Sequence, residues 1–127
     1  MAAGADFILT QPIYDAETFY RVQRQLGAFP RPLIVGVMPL YNARNAEFLH
    51  NEVPGMVIPD AIRQRMREAG DEGGRAEGVR LAQEFLDAVH DHVQGAYFIP
   101  PFRRYDMVID VLQGLPWVGA ARQLEPA

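Results

Sequence analysis

The 127-residue sequence contains no cysteine, no lysine and no serine, and all twelve of its basic residues are arginine. These absences exclude a covalent intermediate on a serine, a cysteine thiolate or a Schiff-base lysine of this chain. They also exclude a disulfide scaffold and a cysteine-based zinc site. Sixteen acidic residues give a net charge of −4, and without a basic cluster this argues against nucleic acid as the partner.

Long hydrophobic runs are missing as well. The longest, residues 32–40, is far shorter than the ~20 residues that span a bilayer. The first six residues contain no basic side chain, so the sequence does not predict a secretory leader. We therefore expect a cytoplasmic protein with no membrane partner.

Three short apolar segments, residues 5–11, 32–38 and 96–100, predict strands that are buried on both faces, as in a parallel sheet. Asp15 and Asn42 are predicted N-caps of the helices that follow the first two strands. The order of elements is β-α, β-α-α-α, β-α. This order predicts an α/β fold with parallel strands and right-handed helical crossovers.

The region between the second and third strands is predicted to hold three helices. Asp60 is the predicted N-cap of the second of them, and Gly70 is its predicted end. Residues 71–74 contain two glycines but lack the G-x-G-x-x-G pattern and the Walker lysine, so they predict a solvated loop. The long third helix is then expected to end at Gly95.

Polar and aromatic side chains follow the predicted strands. These positions are residues 10–12, 38–42 and 100–104. Because the carboxyl ends of parallel strands meet at one edge of a sheet, we expect these segments to lie together. Amides suit paired donors and acceptors and an arginine suits a carboxylate, which predicts a flat polar ligand. The alternative is that Gln11 is an ordinary loop residue and that Arg103 or Arg104 caps a helix.

The histidines do not predict a metal site. His90 and His92 are two residues apart, so on a helix they point in different directions. Glu47 and His50 have the E-x-x-H spacing of di-iron proteins, but no second copy of that motif is present. All three are expected to be surface or packing histidines, and no pair of carboxylates suggests an acid–base dyad.

Three segments resemble the methylenetetrahydrofolate reductases. They are A-G-A-D-F-I-L-T-Q-P (residues 3–12), G-V-M-P-L followed by R-N-A-E-F-L-H-N-E-V-P-G (residues 36–55), and P-F-R-R-Y-D-M (residues 101–107). The resemblance covers residues 2–112 in order. It is strongest to the C-terminal part of the reductase domain of bifunctional homocysteine S-methyltransferase/5,10-methylenetetrahydrofolate reductases.

This resemblance implies a (β/α)8 TIM barrel, of which the chain would supply the last three βα units. It also implies FAD as cofactor and NAD(P)H as reductant, with methylenetetrahydrofolate converted into 5-methyltetrahydrofolate. An upstream homocysteine methyltransferase domain would be a further partner.

The resemblance also implies substrate-binding roles for three residues. Gln11 matches a glutamine that contacts the pterin or the nicotinamide, and Asn45 matches a position near the folate tail. Arg104 matches the arginine that meets the glutamate tail, although Arg103 beside it is a second cation. Leu49 stands where some relatives have a phenylalanine. The family's catalytic acid and most FAD contacts lie upstream, so no catalytic residue is assigned here.

A complete barrel takes ~250 residues, about twice the length of this sequence. We therefore expect residues 1–127 to be a single partial domain, the C-terminal fragment of a reductase barrel. Two alternatives remain for such a chain: a truncated protein without activity of its own, or a half-barrel that pairs with another chain, such as a second copy. A free-standing doubly wound module unrelated to folate is a third reading.

Overall fold

The structure is a computed structural model that describes residues 8–26 and 33–115. The described part contains one sheet of three parallel strands: β1 (Ile8–Pro12), β2 (Leu33–Val37) and β3 (Gly95–Phe98). β2 lies between the other two, so the strands follow one another in chain order. The α/β class and the parallel pairing predicted from the sequence are confirmed.

Four helices and two short 3-10 turns accompany the sheet in the described part. The helices are α1 (Ala16–Leu26), α2 (Ala43–Glu52), α3 (Asp60–Val89) and α4 (Tyr105–Gln113), and the 3-10 turns are His90–His92 and Pro101–Arg103. No helix of the described part is both long and apolar enough to cross a membrane.

Within the described residues, the strand boundaries differ from the predicted ones by one or two residues. Predicted residues 5–7 and 32 lie outside the described residues. β3 ends at Phe98 rather than at residue 100, because Pro100 has no N–H to donate and a 3-10 turn begins at Pro101. Ile99 still donates its backbone N–H to the Val37 carbonyl at 2.9 Å. The prediction that Gly95 ends a helix was wrong, because Gly95 begins β3.

Two predicted helix caps are confirmed. The Asp15 carboxylate accepts the Thr18 N–H at 3.0 Å, and the Asn42 side chain accepts the Asn45 N–H at 2.7 Å. The predicted cap at Asp60 was wrong: Pro59 is the N-cap and Asp60 is the first residue of α3. There its charge lies at the positive end of the helix dipole, which also favours an acidic side chain.

Helix α3 folds back on itself at Gly70, whose φ of +72° interrupts the helical backbone. The fold-back is evident from Arg65, whose guanidinium lies 2.7 Å from the Glu84 carboxylate. Nineteen residues of straight helix would instead separate them by roughly 28 Å. The prediction that Gly70 ends one helix is thus close to the observed break. The predicted loop at residues 71–74 was wrong, because these residues are helical.

The hydrophobic core has two parts. The larger lies between the sheet and helices α1, α3 and α4, and its fully buried members include Phe19, Val35, Val89, Met107 and Val111. The smaller lies under α2 and the first half of α3, and includes Tyr14, Leu40, Ile58 and Met66. Three of the methionines expected to fill the core, Met56, Met66 and Met107, are buried.

Met107 and Val111 form the core face of helix α4. Both are fully buried, whereas Tyr105 at the start of the helix is 64% exposed. Met107 and Val111 are four residues apart and therefore lie on one side of the helix.

Candidate functional site

The carboxyl ends of the three strands bring together the segments that the sequence singled out. β1 ends with Gln11 and Pro12, the chain after β2 leads through Leu40 to α2, and the chain after β3 forms the 3-10 turn Pro101–Arg103. Parallel pairing places all three at the same edge of the sheet.

Tyr41 and Arg104 form the centre of this edge. The Arg104 Nη1 donates to the Tyr41 hydroxyl at 3.2 Å, and the guanidinium carbon lies 5.3 Å from the centre of the tyrosine ring. The Phe102 ring meets the same ring edge-on, with centroids 5.6 Å apart. A cation against an aromatic face is stabilised by the ring quadrupole. Arg104 is the N-cap residue of α4, but its side chain makes no capping hydrogen bond and lies against the Tyr41 ring instead.

Two acidic residues of α4 hold the arginines in this region. Asp106 accepts from Arg104 Nε at 3.3 Å and from Arg104 Nη2 at 3.4 Å. It also accepts from Arg75 at 2.7 Å, and Arg75 lies 2.7 Å from Asp110 as well. Hydrogen bonds from Arg104 and then from Arg75 lower the pKa of Asp106 to about 2. A ligand carboxylate on Arg104 would take the place of Asp106, which Arg75 would still hold.

The residues of the 3-10 turn adopt unusual backbone angles. Phe102 has a φ of +51° and Arg103 has a φ of +60°, a region in which side-chain-bearing residues are uncommon. Both side chains are exposed. This turn directs the chain so that Arg104, and not Arg103, contacts Tyr41.

Asn45 joins the same cluster through the loop before α2. Its carboxamide oxygen accepts the Tyr41 N–H at 3.0 Å, while its own N–H is bound by Asn42. Asn45 and Arg104 therefore both contact Tyr41, Asn45 at the backbone N–H and Arg104 at the ring hydroxyl. The amide Nδ2 of Asn45 takes no part in these bonds and is the donor that Asn45 would offer to a ligand.

Gln11 lies at the other end of α2. Its exposed side chain reaches the turn after that helix, where its carboxamide lies against Gly55. Gln11, Gly55 and Val57 line a cavity of about 470 Å³, together with Thr18 and Arg21 of α1 and the outer edge of β1. Because α2 is 10 residues long, roughly 15 Å, Gln11 and Asn45 lie near opposite ends of a helix of about that length. The site is therefore elongated.

Leu49 is partly buried in the described structure. It packs against the smaller core cluster. The neighbouring Phe48 is 57% exposed, so the aromatic ring on this part of α2 points away from the core.

The histidines have packing roles, as expected. His50 Nδ1 accepts the Ile58 N–H at 3.1 Å, and the His92 ring lies edge-on to Tyr20 with centroids 5.5 Å apart. Across residues 8–26 and 33–115, no group of three or more His, Asp or Glu side chains is placed to hold a metal ion.

Gly74 and Gly78 of α3 pack against the loop that carries Tyr41. A β-carbon at Gly78 would lie 1.7 Å from the Leu40 carbonyl oxygen, and one at Gly74 would lie 2.8 Å from that of Tyr41. The helix backbone thus packs directly on the loop that carries Tyr41. The sequence analysis missed this role, although two glycines four residues apart on one helix face are a usable signal for close packing.

The same packing bears on the fit of FAD. A dinucleotide pyrophosphate needs free backbone N–H groups at a glycine-rich turn or a helix N-terminus. The glycine-rich segment of the described chain is helical and covered by residues 40–42. This segment therefore does not supply the phosphate-binding turn that the diphosphate of FAD would need.

Comparison with known proteins identifies the family. The family model for methylenetetrahydrofolate reductase matches residues 1–112. The chain belongs to the methylenetetrahydrofolate reductase family. It is also 28% identical, over 101 residues, to Methylenetetrahydrofolate reductase 2 of Schizosaccharomyces pombe (strain 972 / ATCC 24843). That match covers 73% of this chain and 16% of the relative, so the chain spans a small part of the yeast reductase. The resemblance to bifunctional proteins with a homocysteine methyltransferase stays a prediction.

Proposed function

We propose that the chain supplies the folate-binding side of an FAD-dependent methylenetetrahydrofolate reductase. The observation that carries this proposal is the elongated site, with an exposed carboxamide at one end and an arginine fork at the other. Methylenetetrahydrofolate has a matching shape: a flat pterin edge with donors and acceptors, an aryl linker, and a glutamate with two carboxylates.

Each residue of the site has a distinct part in this proposal. Gln11 pairs with the pterin edge, since a carboxamide both donates and accepts. Arg104 binds a carboxylate of the glutamate through two N–H groups of its planar guanidinium. The ligand carboxylate replaces that of Asp106 as the partner of Arg104. Asn45 donates to the folate tail beside Arg104. A contact of Gln11 with the nicotinamide of NAD(P)H is the alternative for that residue.

We further propose that the three strands are the last three of a (β/α)8 barrel. Sequential parallel strands with one helical layer are the pattern of such a barrel. The cavity beside β1 supports this, because it opens along the outer edge of the strand and has apolar walls that include Leu9 and Val57. An unpaired strand edge with an apolar groove is expected to be covered by a further βα unit.

FAD, in this proposal, is held by residues other than those described here. The chemistry that FAD would supply there is hydride transfer from NAD(P)H to the folate. The described residues bind and orient the folate and hold no reacting proton, so the 127-residue chain alone is expected to be inactive. The alternative, a half-barrel completed by another chain, is supported by the same open edge of β1.

Binding of 5-methyltetrahydrofolate to the 127-residue chain, measured by isothermal titration calorimetry, tests the folate site. We expect Gln11→Ala and Arg104→Ala each to weaken binding about tenfold, the effect of one lost charge-assisted or amide contact. Arg103→Ala and Arg24→Ala, on the turn and on α1, should bind as the wild type does. A loss with Arg103→Ala and none with Arg104→Ala would contradict the assignment of the fork.

The mass of the chain in solution and its flavin content separate the two forms of the proposal. A colourless monomer supports a part of a longer barrel, whereas a stable dimer supports a half-barrel that pairs with a second copy. A monomer that binds FAD and oxidises NAD(P)H would contradict both.

A further inference from the structure

The carboxamide of Gln11 lies directly over Gly55. A β-carbon at position 55 would lie 3.0 Å from the Gln11 Oε1, 3.2 Å from its Nε2 and 3.5 Å from its Cδ. The first two distances are shorter than ordinary van der Waals contact, so a β-carbon at position 55 would push the carboxamide aside by a few tenths of an ångström. Gly55 also has a φ of +83°, which the turn after α2 requires.

The turn that carries Gly55 is anchored on both sides. The Met56 N–H donates to the Val53 carbonyl at 3.2 Å, and the Ile58 N–H donates to the His50 imidazole at 3.1 Å. Met56 and Ile58 are both buried in the smaller core cluster. Gly55 is therefore held in a defined position relative to α2, the helix that begins beside Asn45.

We propose that Gly55 is the positioning residue for Gln11. The space left by its missing side chain receives the Gln11 carboxamide and directs it to one end of the elongated site. This proposal rests on the proposed function for the role of Gln11, and goes beyond it by naming what orients that side chain. An exposed glutamine otherwise samples several rotamers, and ordering it during binding lowers the affinity.

The chain offers a matched control for the substitution Gly55→Ala. Gly70 has a similar φ of +72°, but in the described structure nothing lies within 4 Å of the place where its β-carbon would be. Gly70→Ala therefore introduces the same kind of backbone strain without touching Gln11. A difference between the two variants reports the contact with Gln11 and not the strain.

The first measurement needs no ligand. In 1H–15N NMR spectra of the 127-residue chain, the side-chain amide signals of Gln11 are assigned by their loss in Gln11→Ala. We expect these signals to shift in Gly55→Ala and to stay in place in Gly70→Ala. Unchanged signals in Gly55→Ala, or equal shifts in both variants, would overturn the proposal. If Gly55→Ala does not fold, Gly55→Asn replaces it, because asparagine tolerates a positive φ.

The second measurement uses 5-methyltetrahydrofolate. Gly55→Ala should weaken its binding about tenfold in the wild-type background and cause no further loss when Gln11 is already alanine. An undiminished loss in the Gln11→Ala background would overturn the positioning role. If the wild type itself does not bind the folate, the proposed function fails, while the NMR comparison still decides whether Gly55 positions Gln11.

Discussion

Gly78 of α3 lies so close to the backbone of Leu40 that a β-carbon at position 78 would stand 1.7 Å from the Leu40 carbonyl oxygen. Backbone atoms cannot move aside as the end of a flexible side chain can. The contact fixes the distance between α3 and the loop that carries Tyr41 and Asn42. The geometry of the proposed folate site thus depends on a glycine that touches no ligand.

The first prediction concerns this contact. Gly78→Ala should destabilise the protein by at least about 3 kcal/mol, the upper range for overpacking a core. Gly73→Ala is the matched control, because a β-carbon there would meet only Ala69 at 3.6 Å. In a helix, alanine at that position should stabilise by about 0.5–1 kcal/mol. Urea denaturation followed by circular dichroism measures both, and equal effects would contradict the packing role of Gly78.

The second prediction concerns Tyr14, whose hydroxyl is buried without a hydrogen-bond partner among the described residues. A buried polar group without a partner costs about 1–3 kcal/mol. Tyr14→Phe should therefore stabilise the protein by about 1 kcal/mol, if the ring keeps its place. Tyr105→Phe, at a ring that is 64% exposed, should change the free energy of unfolding little. A destabilised Tyr14→Phe variant would show that the hydroxyl does have a partner.

Because Tyr14 is buried, we also expect the free energy of unfolding to fall at alkaline pH. Burial raises the pKa of Tyr14 above its ordinary value. Above a pH of about 10 the unfolded chain loses this proton while the folded chain keeps it. The stability that Tyr14 contributes is complete below that pH and declines above it, by up to about 1.4 kcal/mol per pH unit. The free energy of unfolding of Tyr14→Phe should fall less steeply between pH 9 and 11.

A third prediction follows from Asp106, whose pKa is lowered to about 2 by Arg104 and Arg75. Its contribution to stability is complete above the pKa of the unfolded aspartate, about 3.9, and is lost as the pH falls from there through the folded value. The difference in melting temperature between wild type and Asp106→Asn should therefore shrink between pH 5 and pH 2. It should also shrink in 1 M salt, because these groups are exposed. Glu52→Gln, on the surface of α2, serves as the charge-matched control.

A fourth prediction concerns the ion pair that closes the fold-back of α3. Arg65 meets the two carboxylate oxygens of Glu84 at 2.7 and 2.9 Å. A double-mutant cycle at these positions should give a coupling of about 1 kcal/mol, because the fork geometry is good. The surface pair of Glu17 and Arg21, at 3.7 Å, should give less than about 0.5 kcal/mol. Equal couplings would show that the Arg65 pair does not restrain the fold-back.

Much of the fold could be predicted from the sequence. The three strands and their order along the chain follow from the short apolar runs. The helix caps at Asp15 and Asn42 follow from side chains that accept a backbone N–H three residues later. The strand boundaries could not be predicted to the residue. Whether a strand ends at Phe98 or at Pro100 depends on which backbone groups of the neighbouring strand are placed to form hydrogen bonds. The segment 71–74 was misread as a loop because glycine is common in turns, and only the packed surface shows that it is helical.

The site was predicted in part. The sequence pointed to the strand ends, and the resemblance picked out Gln11, Asn45 and Arg104. Nothing in the sequence links Tyr41 to Arg104, which are 63 positions apart, or Asp106 to Arg75. The contact of Gln11 with Gly55 was equally hidden, since it joins the end of a strand to a turn more than forty residues later.

The sequence by itself determined the family of this chain, the α/β order of its elements and the chemistry that its side chains exclude. These follow from residue types and from spacing along the chain, which local backbone geometry turns directly into strands, helices and caps. Tertiary structure alone decided that Tyr41 holds Arg104, that Gly78 supports the loop before α2 and that Gly55 faces Gln11. Those contacts exist because parallel strands and their helical crossovers bring distant segments to one edge of the sheet, and close packing there admits only certain side chains.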